Sequence, residues 1–338
     1  MADVPITATA GEKPIEHGGD LEAVGRRYPQ APRPWIDLST GINPIPYPIG
    51  DLPADSWSRL PSRTAEEALL AAAAGRYRVG NGAAMAAAPG TQALIQVLPR
   101  LRARSRVAIV GRTYAEHELC WRRGGHDVSV VADLTAAAGA DVVVIVNPDN
   151  PTGRLVPADA LRALEASLLI VDEAFIDLSP ATASLAGGLP DNTVVLRSFG
   201  KTYGLAGVRL GFAIASPTMA EQLRRTLGPW AVSGPALEIG RRALADDAWL
   251  AASALRLATH RERLDALLAA AGCRLRGGTM LFRLFEHGEA PRLADALARH
   301  GIHVRRFADR PTLLRFGLPA NDEEFSRLAA ALQVPQKV

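Results

Sequence analysis

Short apolar segments alternate with helical segments between residues 86 and 215, and this alternation limits the folds open to the chain. The clearest segment, residues 141–146 (DVVVIV), carries five branched aliphatic side chains in a row, and residues 168–171 (LLIV) form a second. Uninterrupted apolar strands are typical of a parallel sheet covered on both faces, and strand–helix alternation is typical of an α/β fold. We therefore predict a mainly parallel sheet that lies between helices.

Polar residues and glycines follow the predicted strands. In open α/β sheets, ligands bind beyond the carboxyl ends of the strands. Five candidate ligand-binding residues fall at such ends: Gly90, Tyr114, Asn150, Asp172 and Lys201. Because these ends meet at one edge of a sheet, the sequence predicts one common site.

Lys201 stands in an apolar, glycine-rich segment, residues 198–211 (SFGKTYGLAGVRLG). Burial disfavours the ammonium form, which makes the amine available as a nucleophile toward a carbonyl. Pyridoxal 5'-phosphate (PLP), whose aldehyde condenses with a lysine amine, is the predicted cofactor. Ser198 and Arg209 are candidates for its phosphate, since the planar guanidinium pairs with phosphate oxygens. The alternative for this segment alone is a surface loop with a solvated lysine.

The remaining candidates fit other parts of the same cofactor. Gly90 and Thr91 lie between a strand and a helix, where backbone N–H groups form an anion cradle. Asp172 is a candidate partner for the ring nitrogen, Asn150 for the phenolic oxygen and Tyr114 for the ring face. Each of these side chains has a structural alternative. Asp172 could cap a loop, Asn150 could form an Asx–Pro turn, and Tyr114 could be an ordinary half-buried tyrosine.

Three regions are predicted along the chain. Residues 1–50 are an N-terminal arm that packs on the small domain, residues 51–228 are the large PLP-binding domain, and residues 229–338 are a smaller α+β domain. A helix is expected over residues 63–75, with Thr64 as its N-cap. In the small domain, Arg315 lies within an apolar strand, where it would bind a substrate carboxylate or form a structural salt bridge.

Composition excludes several classes of protein. The 338 residues are 48% hydrophobic, yet no apolar run approaches the roughly 20 residues that cross a bilayer. No signal peptide is visible in residues 1–20, so a cytoplasmic enzyme is expected. Cys120 and Cys273 are too few for a disulfide framework or a zinc site, and no metal is predicted. The net charge of +3 is dispersed without a basic stripe, which argues against nucleic-acid binding.

A set of motifs resembles the fold-type-I PLP-dependent enzymes of the class I/II aminotransferase group: residues 150–153 (NPTG), 172–175 (DEAF) and 198–201 (SFGK) with Arg209. The resemblance covers essentially the whole chain. It implies the aspartate-aminotransferase-like fold, Lys201 as the catalytic residue, and a homodimer whose active sites form at the subunit interface.

Within that group, residues 17–20 (HGGD), 37–44 and 172–178 (DEAFIDL) are most similar to threonine-phosphate decarboxylases. This likeness implies that L-threonine O-3-phosphate loses CO2 to give (R)-1-amino-2-propanol O-2-phosphate, in cobalamin biosynthesis. For this reaction we assign the substrate carboxylate to Arg315, with help from Asn43, and the substrate phosphate to His17 and Arg305.

Two other functions remain open at this point. An aminotransferase of the histidinol-phosphate type would use the same cofactor ligands. A cofactor-sensing regulator normally has an attached DNA-binding domain, and we expect no room for one before this fold begins. The sequence also departs from many relatives at two positions: Phe175 stands where a tyrosine bonds the phenolic oxygen, and Leu60 where a tyrosine reaches the partner subunit's cofactor phosphate.

Overall fold

The computed structural model describes residues 18–332. Within them the strands, β1 to β12 in chain order, are Ile36–Leu38, Ala84–Ala88, Arg106–Val110, Asp127–Val131, Val142–Val146, Leu168–Asp172, Thr193–Ser198, Gly211–Ala215, Arg274–Gly278, Phe282–Glu286, Ile302–Arg306 and Leu313–Gly317. The α-helices, α1 to α12, are Leu21–Arg27, Asp55–Ser58, Arg63–Tyr77, Thr91–Val97, Ala115–Arg123, Ala158–Arg162, Phe199–Thr202, Pro217–Leu227, Gly234–Leu244, Asp247–Ala270, Ala290–Arg299 and Asp322–Leu332.

The larger sheet has seven strands in the order β2-β8-β7-β6-β5-β3-β4. Strand β8 runs antiparallel to both neighbours, and the other pairings are parallel. Along β5, Val143 and Ile145 pack in one apolar core, whereas Val142 and Val144 pack in another on the opposite face. The apolar run therefore marks a strand covered on both faces, and the predicted α/β fold is confirmed.

The smaller sheet has five strands in the order β1-β11-β12-β10-β9. Strand β1 comes from the N-terminal region and pairs in parallel with β11, while the remaining pairings are antiparallel. Its core includes Ile36 and Leu38 of β1 together with Phe282, Phe316 and Phe325. Strand β1 is thus an integral part of this sheet although it is far from the other strands in sequence.

The two cores divide within α10 and not at Gly228, the predicted domain boundary. Leu237 and Ala243 of α9 lie in the core of the seven-stranded sheet, against which Trp249 also packs. Leu257 and Leu264 of the same α10 lie in the core of the five-stranded sheet. Gly228 does end helix α8, with φ of +80°. The chain passes from one core to the other only further on, within α10.

Helix α3 begins at Arg63 and is capped by Ser62, whose side chain accepts a hydrogen bond from the N–H of Ala65. Thr64, the predicted cap, lies inside the first turn instead. No α-helix among residues 18–332 is long and apolar enough to span a membrane.

Candidate active site

A cavity of about 350 Å³ lies beyond the carboxyl ends of the larger sheet's strands. It is lined by nine of the residues that the sequence predicts for the site: Gly90, Thr91, Tyr114, Asn150, Asp172, Ser198, Lys201, Arg209 and Arg315. Eight of these lie in or next to the ends of strands of the large sheet, and the ninth comes from β12 of the small sheet. The structure therefore gathers at one place the side chains that the strand ends were expected to bring together.

Lys201 lies on α7, a short helix that directly follows β7. Its Nζ is 3.5 Å from Ser198 Oγ and 4.9 Å from the centroid of the Phe175 ring. Burial lowers the pKa of this lysine, and the positive charges of Arg315 and Arg209 add to that effect, against the opposing pull of Asp172. The amine is therefore closer to its neutral, nucleophilic form than a surface lysine.

Asp172 ends β6 with its side chain buried. His117 Nε2 lies 2.9 Å from its Oδ2, and the N–H of Ala174 donates to Oδ1 at 3.0 Å. Burial pushes the pKa of Asp172 up, but the His117 hydrogen bond and the charges of His117 and Lys201 outweigh it, so the pKa is lowered. The carboxylate stays ionised inside the protein.

Arg315 reaches the cavity from the small domain. Its Nη1 donates to Asn150 Oδ1, and its Nη2 donates to the carbonyl oxygen of Ser39 at 2.6 Å. Its Nε is buried and has no hydrogen-bond partner among residues 18–332. Burial lowers the pKa of Arg315 to about 10, and neighbouring Arg305 contributes in the same direction. A guanidinium that lines a cavity is suited to bind an anion.

Gly90 provides the space in which Arg209 lies. It caps α4 with φ of +83°, a conformation that favours glycine. A Cβ atom at this position would be 2.5 Å from Arg209 Nη2, so any larger residue would displace the guanidinium. Gly211 has a similar role, since its Cβ would lie 2.6 Å from the backbone nitrogen of Thr91. The guanidinium and the first N–H groups of α4 are thereby held against one wall.

Tyr114 precedes α5, and its hydroxyl donates to Gln92 Oε1 at 3.0 Å. Burial, together with the nearby negative charges of Glu116 and Asp172, raises its pKa to about 12. The hydroxyl therefore remains protonated at neutral pH.

The structure contradicts the expectation for Asn43. Its Nδ2 donates to the carbonyl oxygen of Thr202 at 2.9 Å and to Ser253 Oγ at 2.8 Å, and its Oδ1 accepts from the N–H of Ile45. With both ends of the amide in use and the side chain buried away from the cavity, no group remains for a substrate carboxylate. Asn43 instead anchors the loop around Lys201, whose carbonyl accepts the Asn43 N–H at 2.8 Å.

Arg305 and His17 are the residues expected to bind a substrate phosphate, and Arg305 lies among the described residues. Arg305 is the cross-strand neighbour of Arg315, so both side chains lie on one face of the small sheet. It lines an adjoining cavity of about 610 Å³ that shares Tyr114, Asn150 and Arg315 with the first. His17 lies outside the described residues.

Comparison with known proteins identifies the family. A model of the family "aminotransferase class I and II" matches residues 56–332. The chain belongs to this family. Two similar members are threonine-phosphate decarboxylases. One, from Sinorhizobium sp, is 44% identical over 94% of this chain and 98% of its own, and the other, from Pseudomonas aeruginosa, is 40% identical over 94% and 97%.

The solved structures show the same aminotransferase fold. Histidinol-phosphate aminotransferase from Sinorhizobium meliloti, in complex with pyridoxal-5'-phosphate, superposes with a TM-score of 0.82 over 97% of this chain and 98% of that one, at 24% identity. The predicted fold class, the family and the nature of the protein as a PLP-dependent enzyme are confirmed.

Phe175 and Leu60 are the two positions at which the sequence departs from many relatives, and the structure describes both. Phe175 is buried, with its ring 5.0 Å from that of Phe282 in an edge-to-face contact, so an apolar surface replaces a hydroxyl beside Lys201. Leu60 is 68% exposed on the surface.

Sequence reasoning missed two features that hold the aminotransferase-family site in place. His117 lies on α5, three residues after Tyr114, which caps that helix, and the two rings are 6.1 Å apart, centroid to centroid. The three-residue spacing at the start of a helix is the sequence signal for this contact. The second is a buried ion pair, in which Arg197 Nη1 donates to Glu173 Oε2 at 2.8 Å. Because Glu173 follows Asp172 and Arg197 precedes Ser198, this pair joins the ends of β6 and β7 at the cavity.

Proposed function

We propose that the protein is a PLP-dependent carboxy-lyase that converts L-threonine O-3-phosphate to (R)-1-amino-2-propanol O-2-phosphate and CO2. The observation that carries this proposal is the identity of 44% and 40%, over nearly the whole chain, with two threonine-phosphate decarboxylases. This product is a building block of the cobalamin nucleotide loop, which would place the enzyme in cobalamin biosynthesis. The proposed location is the cytoplasm.

The residues around the cavity match the functional groups of PLP. Lys201 offers an amine to the aldehyde, Asp172 a carboxylate to the protonated ring nitrogen, and Asn150 an amide N–H to the phenolic oxygen. Ser198, Arg209 and the N–H groups that begin at Thr91 offer donors to the phosphate, in the space that Gly90 leaves. Tyr114 would pack on the ring.

PLP supplies an electron sink that accepts the bonding electrons when CO2 leaves the amino acid. The protein's contribution is to keep Asp172 ionised and oriented, through His117, so that the ring nitrogen stays protonated. Asn150 is oriented in turn by Arg315, since its oxygen accepts from the guanidinium and its NH2 group is left for the cofactor.

Substrate orientation would rest on the two arginines of the small domain. Decarboxylation and amino transfer would differ in which bond at Cα the protein places for cleavage, so the residues that hold the carboxylate would decide between the two reactions. Arg315 would bind that carboxylate through its guanidinium, which lines the cavity. Arg305 would contact the phosphate, with His17 as the second expected ligand. Lys201, with its lowered pKa, would deliver a proton to Cα after CO2 has left.

A homodimer is part of this proposal. Trp57, Leu60 and Trp230 are large apolar side chains that are 70%, 68% and 58% exposed. They belong to segments that meet: Ser56 O lies against Gly234, and Pro61 and Trp230 line one groove. An exposed apolar face of this kind is typical of a protein–protein contact. Light scattering should show a dimer, and Trp57→Glu with Trp230→Glu should shift the mass toward the monomer.

One assay separates the proposed reaction from that of an aminotransferase. The holoenzyme is mixed with L-threonine O-3-phosphate, and CO2 release is measured beside keto-acid-dependent transfer of the amino group. We expect stoichiometric CO2 without any keto acid and none from a Lys201→Ala variant. Transfer without CO2 release would overturn the decarboxylase proposal and favour an aminotransferase.

A further inference from the structure

The larger cavity, of about 610 Å³, opens beside the cofactor cavity and is strongly basic. Its charged lining consists of Arg112, Arg305, Arg306, Arg310 and Arg315 against Glu118 and Asp309. A cleft with such an excess of one charge concentrates ligands of the opposite charge. Arg305 and Arg315 already have proposed roles, and Arg306 pairs with Asp295 at 2.8 Å. Arg112 and Arg310 have none.

These two arginines share one carboxylate oxygen. Arg112 Nη1 donates to Asp309 Oδ2 at 3.2 Å, and Arg310 Nε lies 3.5 Å from the same oxygen. The two arginines also meet directly, since Arg310 Nη2 donates to the carbonyl oxygen of Arg112. Arg112 follows β3 of the large sheet, whereas Asp309 and Arg310 lie in the turn between β11 and β12. The cluster therefore joins both domains at the mouth of the cavity.

Asp309 neutralises the positive charge of this cluster only in part. It brings one negative charge to two guanidinium groups, and Arg310 Nε remains buried without a hydrogen-bond partner among the described residues. A phosphate monoester carries a charge of about −1.5 to −2 and three terminal oxygens, so it could satisfy both arginines together. The Arg112–Asp309 pair is also exposed, at 72% and 44%, and exposed pairs contribute little stability, so the carboxylate can leave at low cost.

We propose that Arg112 and Arg310 form an anion site for the phosphate monoester group of an arriving ligand, and that Asp309 occupies this mouth site until the ligand displaces it. The identity of that ligand as a phosphorylated amino acid rests on the proposed function. The mouth site makes the first contact with the phosphate, and Arg305 lies further along the same cavity wall toward Arg315. Displacement of Asp309 removes its bond to Arg112, so ligand arrival also releases one contact between the domains.

Phosphate binding tests this proposal without catalysis. Inorganic phosphate is titrated calorimetrically into holoenzyme, whose cofactor already fills the inner phosphate site. We expect Asp309→Asn to bind phosphate several-fold more tightly than the unmodified enzyme, because the competing charge is gone. Arg112→Gln and Arg310→Gln should each weaken binding about tenfold, the size expected for one charge-assisted hydrogen bond. Arg292→Gln is the matched control, since Arg292 is an exposed arginine paired with Glu289 and lies outside both cavities.

Unchanged or weaker phosphate binding in Asp309→Asn would overturn the mouth site, as would equal losses in the Arg112 and Arg292 variants. Kinetics give a second readout: Arg112→Gln should lower kcat/KM for threonine phosphate and flatten its dependence on ionic strength while kcat is kept. If the holoenzyme fails to release CO2 from threonine phosphate, the proposed function fails, and the phosphate titration still decides the mouth site.

Discussion

The imidazole of His117 lies 2.9 Å from the carboxylate of Asp172, Nε2 to Oδ2, and both side chains are excluded from solvent. A carboxylate buried to this extent would otherwise be driven toward its neutral form. The histidine therefore makes the largest contribution to keeping a negative charge at the inner wall of the cavity, with Lys201 and the N–H of Ala174 adding to it.

Replacing His117 with phenylalanine should raise the pKa of Asp172, since burial then acts against a weaker opposing effect. Because the folded pKa of Asp172 lies below its unfolded value of about 3.9, its stabilising contribution is present above that value and is lost as pH falls through the folded pKa. Urea unfolding as a function of pH should show the variant losing stability at a higher pH than the unmodified protein.

The same variant should bind PLP more weakly at neutral pH, and stability should fall by about 1–3 kcal/mol, the cost of leaving a buried acceptor without its donor. His117→Gln keeps a side-chain donor and should recover part of both losses. Equal pH profiles for all three proteins would show that His117 does not control Asp172.

Lys201→Ala should abolish CO2 release and the visible absorbance band that a lysine-bound PLP gives to the enzyme. Lys201→Arg keeps the positive charge but cannot condense with an aldehyde, so it should fail in the same way. Spectrophotometry of both purified variants with added PLP provides the measurement. A visible band that persists in either variant would place the cofactor on another amine.

Gly90→Ala should weaken cofactor binding because the new Cβ displaces Arg209 from its position. Gly125→Ala is the matched control: its φ is +81°, close to the +83° of Gly90, but its Cβ would meet open space. Both variants carry the cost of an alanine at positive φ, about 1–3 kcal/mol, in thermal unfolding. Only Gly90→Ala should also lose PLP affinity, measured by titration of the apoenzyme.

Arg315→Lys should lower kcat/KM for the amino-acid substrate about a hundredfold, or about 3 kcal/mol, because lysine cannot reproduce the planar fork. The visible absorbance band should remain, since Lys201, Asp172 and Arg209 are untouched. A variant with normal kcat/KM would show that the substrate carboxylate binds elsewhere. Steady-state kinetics and absorption spectra on one preparation give both readouts.

Asn43→Ala should destabilise the protein by about 2–3 kcal/mol, since it removes hydrogen bonds to Thr202, Ser253 and Ile45 in a buried setting. Thermal unfolding measures this loss. The KM for the substrate should stay close to that of the unmodified enzyme at a temperature where both proteins are folded. A large rise in KM with unchanged stability would restore the direct substrate role that the sequence suggested.

The cavity beyond the strand ends could be predicted from sequence because most of its residues lie at the ends of strands of one sheet, and the position of a strand end is encoded locally. Lys201, Asp172 and Asn150 are each identified by the apolar run that precedes them. Arg315 was found in the same way, as a charge inside an apolar strand.

Residues whose role depends on distant partners could not be predicted. The amide of Asn43 is used by Ser253, 210 positions further along the chain, and no local pattern connects the two. The Arg112–Asp309 contact likewise joins loops from different domains. On α3, Ser62 and Thr64 are both acceptable caps by residue type, and the backbone conformation at Ser62 decides between them.

Helix α10 is one continuous rod of 24 residues whose two ends are embedded in different cores. Trp249 near its start packs with the large sheet, and Leu264 and Leu268 near its end pack with the small one. Ser253 lies between them and accepts a hydrogen bond from the amide of Asn43. The same amide donates to the carbonyl oxygen of Thr202 on α7, so it connects α10 to the helix that carries Lys201. Any tilting of one sheet against the other must therefore bend this rod or pull an end from its core, which makes the Ser253 region the natural fulcrum for such motion.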